Sequence, residues 1–308
     1  MRIIDLENIN EAMNNETQFV LRCEEVYHDK ISAAAASILS TRQERPVVAL
    51  TGPSGSGKTT TALRLEDYLE NLGVQVCLLS MDNFFLPLDK RPQEATDWES
   101  PYCVNVDLLV SCIGQLMDGK EVDIPWYDFK TGNTGGYNKM QGHKGCIVIA
   151  EGIHMLNPLI FDKIRGAATG VYVAPRTRIL TKKDRVVRPE QIRVARRLIR
   201  DYNTRGHSLR ETVERAESVN RGEVNYIQPY KDNAAIHIDS FHDYELCILA
   251  KCLGEIPNYQ DELTPEYMKE HDLTDLVDVV NTVPPLHTPF VPLNSIVREF
   301  VGGSCYQY

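Results

Sequence analysis

The fold class of this chain is determined by one stretch near its start, Val47-Val48-Ala49-Leu50-Thr51-Gly52-Pro53-Ser54-Gly55-Ser56-Gly57-Lys58-Thr59. Its first four residues form a short apolar run, which is typical of a buried strand. The last eight residues fit the pattern GxxxxGK[ST], and the chain from Thr59 to Asn71 then has a helical pattern that ends at Gly73. A strand, a glycine-rich loop and a helix in this order predict a phosphate-binding P-loop.

The residue types of this loop suit a polyphosphate. Glycines let successive backbone N–H groups turn towards anionic oxygens, and the start of the helix adds the positive end of its dipole. Lys58 can reach the β- and γ-phosphates, and the Thr59 hydroxyl can ligate Mg²⁺. We therefore expect a nucleoside triphosphate with Mg²⁺, its phosphates held by Gly52, Ser54, Gly55, Ser56, Gly57, Lys58, Thr59 and Thr60. The loop alone does not separate kinases from GTPases, motor ATPases or nucleotide-gated switches.

Four more short apolar runs follow, separated by helical patterns. They are Val74–Leu79, Cys146–Ala150, Gly170–Val173 and Ala235–Ile238. Strands that alternate with helices predict an α/β protein of the P-loop NTPase fold, with a mostly parallel five-stranded sheet and helices on both faces. We expect one long charged helix over residues 189–217 and another from Thr264 to Val280.

This pattern divides the chain into three parts. Residues 1–45 read as an N-terminal helical preface, 46–254 as the P-loop domain and 255–308 as a small C-terminal helical appendage, broken by prolines. Within the P-loop domain, residues of about 176–217 are expected to form a lid that carries arginines.

Composition limits the function classes. The chain has 308 residues and a net charge of −10, which argues against broad binding to nucleic acids or anionic membranes. No apolar run has the length of a membrane span, and the eight cysteines form no CxxC pair. We expect a cytoplasmic protein with reduced thiols that acts on a small molecule; a homo-oligomer is left open.

Two carboxylates follow buried strands. Asp82 comes directly after the second strand, and Glu151 ends the third. Because ligands gather at the carboxyl ends of strands in open α/β sheets, Asp82 could orient an attacking hydroxyl and Glu151 could help to hold Mg²⁺. Either could instead cap a turn. Together with Lys58 they favour phosphoryl transfer to a small hydroxyl substrate.

Arginines are concentrated in one helical segment. They are Arg193, Arg196, Arg197, Arg200, Arg205, Arg210 and Arg215, and the first four lie three or four residues apart on one side of a helix. Such a cluster could form a lid that neutralises the transferred phosphoryl group and excludes water. The alternative is a solvated helix face with ion pairs to nearby acidic residues.

Beyond the P-loop, the chain from about Val47 to Asp239 resembles the phosphoribulokinase/uridine kinase family. The motifs are Asp82-Asn83-Phe84-Phe85, Trp98-Glu99-Ser100-Pro101, Pro125-Trp126-Tyr127-Asp128-Phe129, Glu151-Gly152-Ile153, Arg196-Arg197-Leu198-Ile199-Arg200-Asp201 and Arg205-Gly206. Three further motifs resemble the bacterial uridine kinase-like nucleoside kinases that often carry a TGS domain. These are Phe129-Lys130-Thr131-Gly132, Arg205-Gly206-His207-Ser208 and Arg298-Glu299-Phe300-Val301-Gly302-Gly303-Ser304. The 45 or so residues before the P-loop are too few for a TGS domain.

The resemblance implies site roles. The position of Asp82 would be the base towards a ribose 5′-hydroxyl, that of Glu151 would help to hold Mg²⁺, and those of Arg197 and Arg200 would lie on the lid over ATP. The catalytic set is then Asp82, Lys58 and Arg200. The substrate-binding set is Asp82, Phe85, Trp98, Glu99, Tyr127, Phe129, Arg205 and His207, in which Tyr127 stacks near the base and Glu99 contacts ribose hydroxyls.

Three positions depart from the uridine kinase pattern. Glu99 stands where uridine kinases have aspartate, Gly132 where they have a base-reading histidine, and His207 where they have a ribose-contacting arginine. We expect ATP-dependent phosphorylation of a primary hydroxyl, with the 5′-hydroxyl of uridine or cytidine as the leading substrate. The alternatives are a kinase for another alcohol, such as a sugar or a sugar phosphate, and an ATP-binding regulator without chemistry.

Overall fold

This computed structural model describes residues 2–95, 98–181 and 185–308. Its strands are β1 (Ile3–Asp5), β2 (Val47–Thr51), β3 (Val76–Ser80), β4 (Glu121–Asp128), β5 (Asn133–Gln141), β6 (Ile147–Glu151), β7 (Ala168–Ala174), β8 (Arg178–Leu180), β9 (Val186–Val187) and β10 (Ile236–Asp239). Its helices are α1 (Leu6–Ala12), α2 (Glu16–Thr41), α3 (Lys58–Asn71), α4 (Val106–Met117), α5 (Pro158–Ile164), α6 (Pro189–Arg205), α7 (Leu209–Tyr226), α8 (Glu245–Gly254), α9 (Tyr259–Glu262), α10 (Pro265–Glu270), α11 (Thr274–Val280) and α12 (Arg298–Val301).

The central sheet has five parallel strands in the order β10-β7-β2-β6-β3. Successive residues of β2 point to opposite faces, so Val48 and Leu50 join one hydrophobic cluster while Val47 and Ala49 join another. Both faces are therefore buried, which is why the strands are continuous apolar runs. The predicted P-loop NTPase fold is confirmed, with the five strands where the sequence predicts them.

Helices cover both faces of this sheet. Buried residues of α2, α3, α6 and α8 lie in the first cluster, and those of α4 and α5 lie in the second. The helix α3 follows β2 after the glycine-rich loop, so its N-terminus lies at the carboxyl end of the central strand. That arrangement places the P-loop at the edge where ligands bind in open α/β sheets.

Two long helices expected from the sequence are each broken. The segment 189–217 is not one helix, because Gly206 adopts φ 68° after α6 and Ser208 begins α7 with a capping box to Glu211. The segment from Thr264 to Val280 is not one helix either, since Asp272 adopts φ 57° between α10 and α11. Left-handed residues end helices without interrupting the apolar periodicity that suggested them.

Two smaller β structures flank the central sheet. The strands β4 and β5 form an antiparallel hairpin with an irregularity between Trp126 and Tyr127. The strands β1, β8 and β9 form a three-stranded sheet, in which β1 pairs parallel with β8. The lid segment predicted at about 176–217 thus includes β8, β9 and α6, apart from residues 182–184, which lie outside the described residues.

The segments before and after the P-loop domain pack into the same interior. Phe19 and Ile38 of α2 and Leu276 of α11 belong to the hydrophobic cluster that also contains Leu65 of α3. The division into preface, P-loop domain and appendage stays a prediction. Among the described residues, every helix is too short or too polar to span a bilayer.

Candidate active site

The P-loop turns through two left-handed glycines before α3 begins. Gly55 has φ 74° and Gly57 has φ 82°, a region that other residues rarely enter. A Cβ on Gly57 would lie 2.1 Å from Cδ1 of Ile296, so the loop also packs tightly against the chain near residue 296. Lys58 and Thr59 open α3 and are half-buried. The backbone N–H groups of this first turn are the donors that a helix N-terminus offers to an anion.

Three carbonyl groups of the loop are tied to distant residues. The carbonyl of Ser54 accepts a hydrogen bond from Arg193 Nη1 at 3.2 Å, and that of Gly55 accepts one from Arg196 Nη1 at 3.0 Å. The hydroxyl of Ser240 donates to the carbonyl of Ser56 at 2.6 Å. These bonds hold the loop in one conformation. Arg193 and Arg196 therefore support the loop from behind.

Each of these two arginines is buried beside a carboxylate. Arg193 forms an ion pair with Glu223, and Arg196 forms one with Glu245. The lid interpretation placed both arginines on one side of a helix over the nucleotide. Arg196 is instead fully buried and cannot cover a ligand from the solvent side.

The carboxyl ends of three neighbouring strands bring the predicted acidic residues to the P-loop. Glu151 at the end of β6 pairs in register with Leu50 of β2 on one side and Ser80 of β3 on the other. Asp82 follows Ser80 within the short 3₁₀ turn Met81–Phe84 and is half-buried. Asp82 and Lys58 both act electrostatically on Glu151. The structure thus gathers Lys58, Asp82 and Glu151 at one edge of the sheet.

The environment of Glu151 fits a divalent cation. Its side chain is buried; Oε1 accepts a hydrogen bond from Ser80 Oγ at 2.8 Å, whereas Oε2 has no hydrogen-bond partner among the residues that the structure describes. Burial raises the pKa of Glu151 to about 7, Asp82 adds to the increase, and Lys58 opposes it. A buried carboxylate oxygen without a partner is costly unless a cation or proton satisfies it. Mg²⁺ is commonly held by one or two carboxylates together with phosphates, so the residues present fit this ion.

Three arginines surround one buried aspartate at the end of α6. Asp201 lies 2.8 Å from Arg200 Nη2, 3.4 Å from Arg205 Nη1 and 3.9 Å from Arg197 Nε. Burial lowers the pKa of Arg197 to about 10; Asp201 opposes this effect and Arg200 adds to it. Partial burial and Arg200 lower the pKa of Arg205, whereas Asp201 and Asp82 oppose the shift. The group carries an excess of positive charge, and its member Arg205 interacts electrostatically with Asp82, as expected for a phosphate-binding cluster near the acceptor.

The predicted substrate aromatics form one cluster. Ring centroids lie 5.7 Å apart for Phe85 and Tyr127, 5.5 Å for Phe85 and Phe129, and 6.3 Å for Trp98 and Phe129. Phe85 and Tyr127 are buried, while Trp98 and Phe129 are exposed. Flat apolar faces that are partly open to solvent suit a planar or ring-shaped ligand.

One member of this cluster is absent from the residues predicted by sequence. The guanidinium of Arg91 lies 3.9 Å from the ring centroid of Trp98, and its Nη2 donates to the Tyr127 hydroxyl at 3.1 Å. Arg91 lies outside the family motifs, and the sequence offered it only as one of four basic residues between positions 91 and 140, too few to favour a sugar-phosphate acceptor. Its stacking brings a cation to the substrate aromatics.

The departures from the uridine kinase pattern have visible surroundings. A Cβ on Gly132 would lie 2.5 Å from Cδ1 of Leu88, and Gly132 has φ 69°. Leu88 therefore occupies the space that a side chain at position 132 would need. Nε2 of His207 lies 3.0 Å from Nη1 of Arg215, and the backbone N–H of His207 donates to the carbonyl of Asp201. The described contacts of His207 thus do not reach the aromatic cluster.

Glu99 lies between the arginine group and a buried histidine. Glu99 acts electrostatically on Arg197. A Cβ added to Gly222 of α7 would lie only 2.3 Å from the Cβ of Glu99, so the two residues pack closely. His154, close to the backbone of Glu99, is buried, and burial lowers its pKa to about 3, so the imidazole is neutral. The sequence analysis did not identify His154, which lies three residues after Glu151.

A second unpredicted residue reaches the P-loop helix itself. Glu299 Oε2 accepts hydrogen bonds from Thr60 Oγ1 at 2.6 Å and from the Thr60 backbone N–H at 3.4 Å. The hydroxyl of Tyr308 lies 3.0 Å from the same Thr60 Oγ1. The motif that contains Glu299 was noted in the sequence, but nothing in it indicates a contact with residue 60.

Known proteins are similar over this region. The family model described as phosphoribulokinase/uridine kinase family matches residues 47–246. A uridine kinase from Brevibacillus brevis is 28% identical over 216 residues, covering 68% of this chain and 92% of that protein. A uridine kinase from Saccharomyces cerevisiae is 26% identical over 246 residues, and the match spans 75% of this chain but only 45% of that protein.

A solved structure agrees on the fold. It comes from Silicibacter sp. TM1040, and its name assigns it to a fructose transport system kinase; the TM-score is 0.50 at 18% identity, over 67% of this chain and 98% of that one. This likeness shows the fold alone. The family match spans the P-loop, both carboxylates, the aromatic cluster and the arginine group. The chain therefore belongs to the phosphoribulokinase/uridine kinase family of ATP-dependent kinases.

Proposed function

We propose that this chain transfers the γ-phosphoryl group of Mg-ATP to the 5′-hydroxyl of a pyrimidine nucleoside, uridine or cytidine, giving the nucleoside monophosphate and ADP. The observation that carries the proposal is the grouping of Lys58, Asp82 and Glu151 at the carboxyl ends of adjacent strands. The relatives named uridine kinases support the substrate class.

Asp82 is the residue that would act on the acceptor. Its carboxylate takes up the proton of the 5′-hydroxyl as the oxygen forms a bond to the γ-phosphorus. The bond from that phosphorus to the bridging oxygen breaks, and ADP keeps the electron pair. Asp82 is half-buried and interacts electrostatically with Arg205, a cation that can hold this carboxylate towards the acceptor.

The charge on the phosphates would be offset from two sides. Lys58 projects from the start of α3, and Arg197 and Arg200 project from α6. Three arginines around Asp201 leave enough positive charge for an incoming phosphoryl group. Thr59 and Glu151 would hold Mg²⁺, which when bound supplies charge neutralisation at the phosphate oxygens.

The acceptor would lie on the aromatic cluster. Tyr127, Phe85, Trp98 and Phe129 offer ring faces to a base, and Glu99 offers acceptors to ribose hydroxyls. Arg205 is positioned next to Asp82, whereas His207 would need to leave Arg215 to contact ribose.

A sugar phosphate is the second candidate acceptor, and Arg91 is the observation that favours it. Its guanidinium lies on Trp98 and has donors beyond the one used for Tyr127. Such a donor could bind the phosphate of a phosphorylated sugar. Leu88 beside Gly132 also leaves no room for the base-reading side chain that uridine kinases have there.

The test is ADP release from Mg-ATP across nucleosides, sugars and sugar phosphates. Turnover with uridine or cytidine alone supports the nucleoside proposal, whereas turnover with sugar phosphates alone supports the second candidate. Silence across the panel with ATP binding intact would favour a regulator without chemistry. Asp82→Asn should lower turnover by about 10²–10⁴-fold and leave ATP affinity nearly unchanged. The matched control is Asp89→Asn, an exposed aspartate in the next turn, and a similar rate for both variants would remove Asp82 from the mechanism.

A further inference from the structure

We propose that residues 299–308 act as an autoinhibitory strap, in which the Glu299 carboxylate occupies an anion position of the P-loop and must leave when nucleotide binds. The inference rests on the proposed use of the P-loop for ATP. Thr60 is the third residue of α3, and its backbone N–H belongs to the first turn that cradles phosphates in P-loop proteins.

The Glu299 carboxylate occupies the position that a phosphate group of the nucleotide would take beside Thr60. A single oxygen of Glu299 accepts from both the hydroxyl and the backbone N–H of Thr60. Thr60 is fully buried, so these two donors cannot hydrogen-bond to bulk solvent instead. A phosphate oxygen that used the same donors would meet the carboxylate at van der Waals distance. The two anions therefore exclude each other or repel strongly.

The negative charge of Glu299 also acts on another carboxylate of the site. Its carboxylate interacts electrostatically with Glu151. The carboxylate therefore adds to the acidic charge at an edge where the triphosphate would already bring several negative charges. Nucleotide binding with Glu299 in place would concentrate like charges around Lys58.

The geometry allows the strap to move without unfolding its base. Ile296 and Phe300 are buried, the first against Gly57 and the second under the guanidinium of Arg196 at 4.8 Å, so the start of the segment is anchored. Gly302 and Gly303 follow with φ 86° and 71°, and a Cβ on Gly302 would meet nothing within 4 Å. The open space at Gly302 allows residues 304–308 to turn away from α3. Glu299 precedes this glycine on the anchored helix α12, so its carboxylate leaves Thr60 by rotation of the side chain.

Beyond the glycines, the strap is held by a few polar contacts, to the Leu293 carbonyl from the Cys305 N–H at 2.9 Å and from the Ser304 hydroxyl at 3.4 Å, and to α3. The hydroxyl of Tyr306 donates to Asp67 Oδ2 at 2.6 Å, and the hydroxyl of Tyr308 bonds to Thr60 Oγ1 and to Ser304 Oγ. Tyr308 itself is exposed. Contacts of this kind are individually weak in water, so nucleotide binding can displace them.

The test is nucleotide binding by calorimetry with the full chain and no acceptor present. Glu299→Gln keeps the shape of the side chain and removes its charge; we expect about three- to tenfold tighter binding of ATP and ADP. Adenosine, which has no phosphate, should bind with unchanged affinity. The matched control is Glu266→Gln, an exposed carboxylate on α10 with the same change in net charge, and it should alter none of the three affinities.

Weaker binding of ATP and ADP to Glu299→Gln would overturn the proposal, because it would make Glu299 a support of the P-loop. Equal effects on ADP and adenosine would overturn it too. A second variant, Tyr308→Phe, removes the hydroxyl contact with Thr60 and should tighten ADP binding by a smaller factor. Hydrogen exchange of residues 302–308 should accelerate when ADP is added. These readouts use no acceptor, so failure of the acceptor panel and failure of the strap are separate results.

Discussion

Replacing Arg196 by methionine removes the cation that supports the P-loop from behind. The side chain is fully buried; its guanidinium pairs with Glu245, donates to the Gly55 carbonyl at 3.0 Å and donates to the Ser240 carbonyl at 3.0 Å. Methionine has similar length and fills the space over Phe300 without a charge. The substitution therefore isolates the electrostatic contribution of Arg196.

The loss of stability in Arg196→Met depends on the buried charge that remains, the carboxylate of Glu245. Glu245 is also fully buried, and leaving one member of a buried ion pair uncompensated costs about 3–5 kcal/mol. At about 2 °C per kcal/mol for a chain of this size, the melting temperature should fall by roughly 6–10 °C. The lost bond to Gly55 is worth about 1 kcal/mol, so ATP should bind about fivefold more weakly.

The assays are thermal unfolding followed by tyrosine fluorescence and nucleotide titration of the folded protein. In the double variant Arg196→Met with Glu245→Leu, both charges are gone, so most of the melting temperature should return while ATP affinity stays low. Arg200→Met serves as the comparison, because Arg200 is only half-buried on α6; it should lower turnover with little change in melting temperature. If Arg196→Met loses turnover and keeps its melting temperature, Arg196 is a lid residue and the support argument is wrong.

Two further perturbations address the cation site and the acceptor site. The pKa of Glu151 in the folded protein is raised to about 7 from an ordinary value near 4.5, so the folded state binds more protons than the unfolded state between these pH values. Without Mg²⁺, the free energy of unfolding should therefore fall as pH rises from about 4.5 to 7, by up to roughly 3 kcal/mol. Glu151→Gln should flatten this dependence in melting experiments at several pH values. A slope that is identical in the variant would assign the proton uptake elsewhere. Arg91→Met removes the cation stacked on Trp98 and should raise KM for the acceptor about fivefold with KM for ATP unchanged, as initial rates with each substrate varied would show. An effect on the ATP constant alone would place Arg91 outside the acceptor site.

The sheet could be predicted because its strands are buried on both faces. A strand such as β6, with every residue buried, must be a continuous apolar run, and such runs stand out in a sequence. The strands β1, β8 and β9 have only two or three residues each and leave no periodic signal, so they were missed. The helix breaks at Gly206 and Asp272 depend on single left-handed residues within otherwise helical patterns.

The P-loop and its neighbouring acidic residues could be anticipated from their order after buried strands. What supports them could not. Arg196 and Arg200 look alike in sequence, four residues apart on one helix, and only packing against Glu245 separates a buried support from a half-buried arginine. The side chain of Leu88 beside Gly132 is likewise a tertiary contact over 40 residues of chain, and no local pattern encodes it.

The hydrogen bonds that fix the conformation of the phosphate loop come from residues that are translated long after it. Gly55 depends on Arg196 and Ser56 on Ser240, at separations of 141 and 184 residues. At translation rates of about 5–20 residues per second, the ribosome needs roughly 10 to 40 s to supply the second of these. During that interval the loop on the nascent chain lacks the bonds that fix its shape, and closing so long a stretch of chain is slow. A fully shaped phosphate loop is therefore a late product of the biogenesis of this protein, available only after Ser240 has been made.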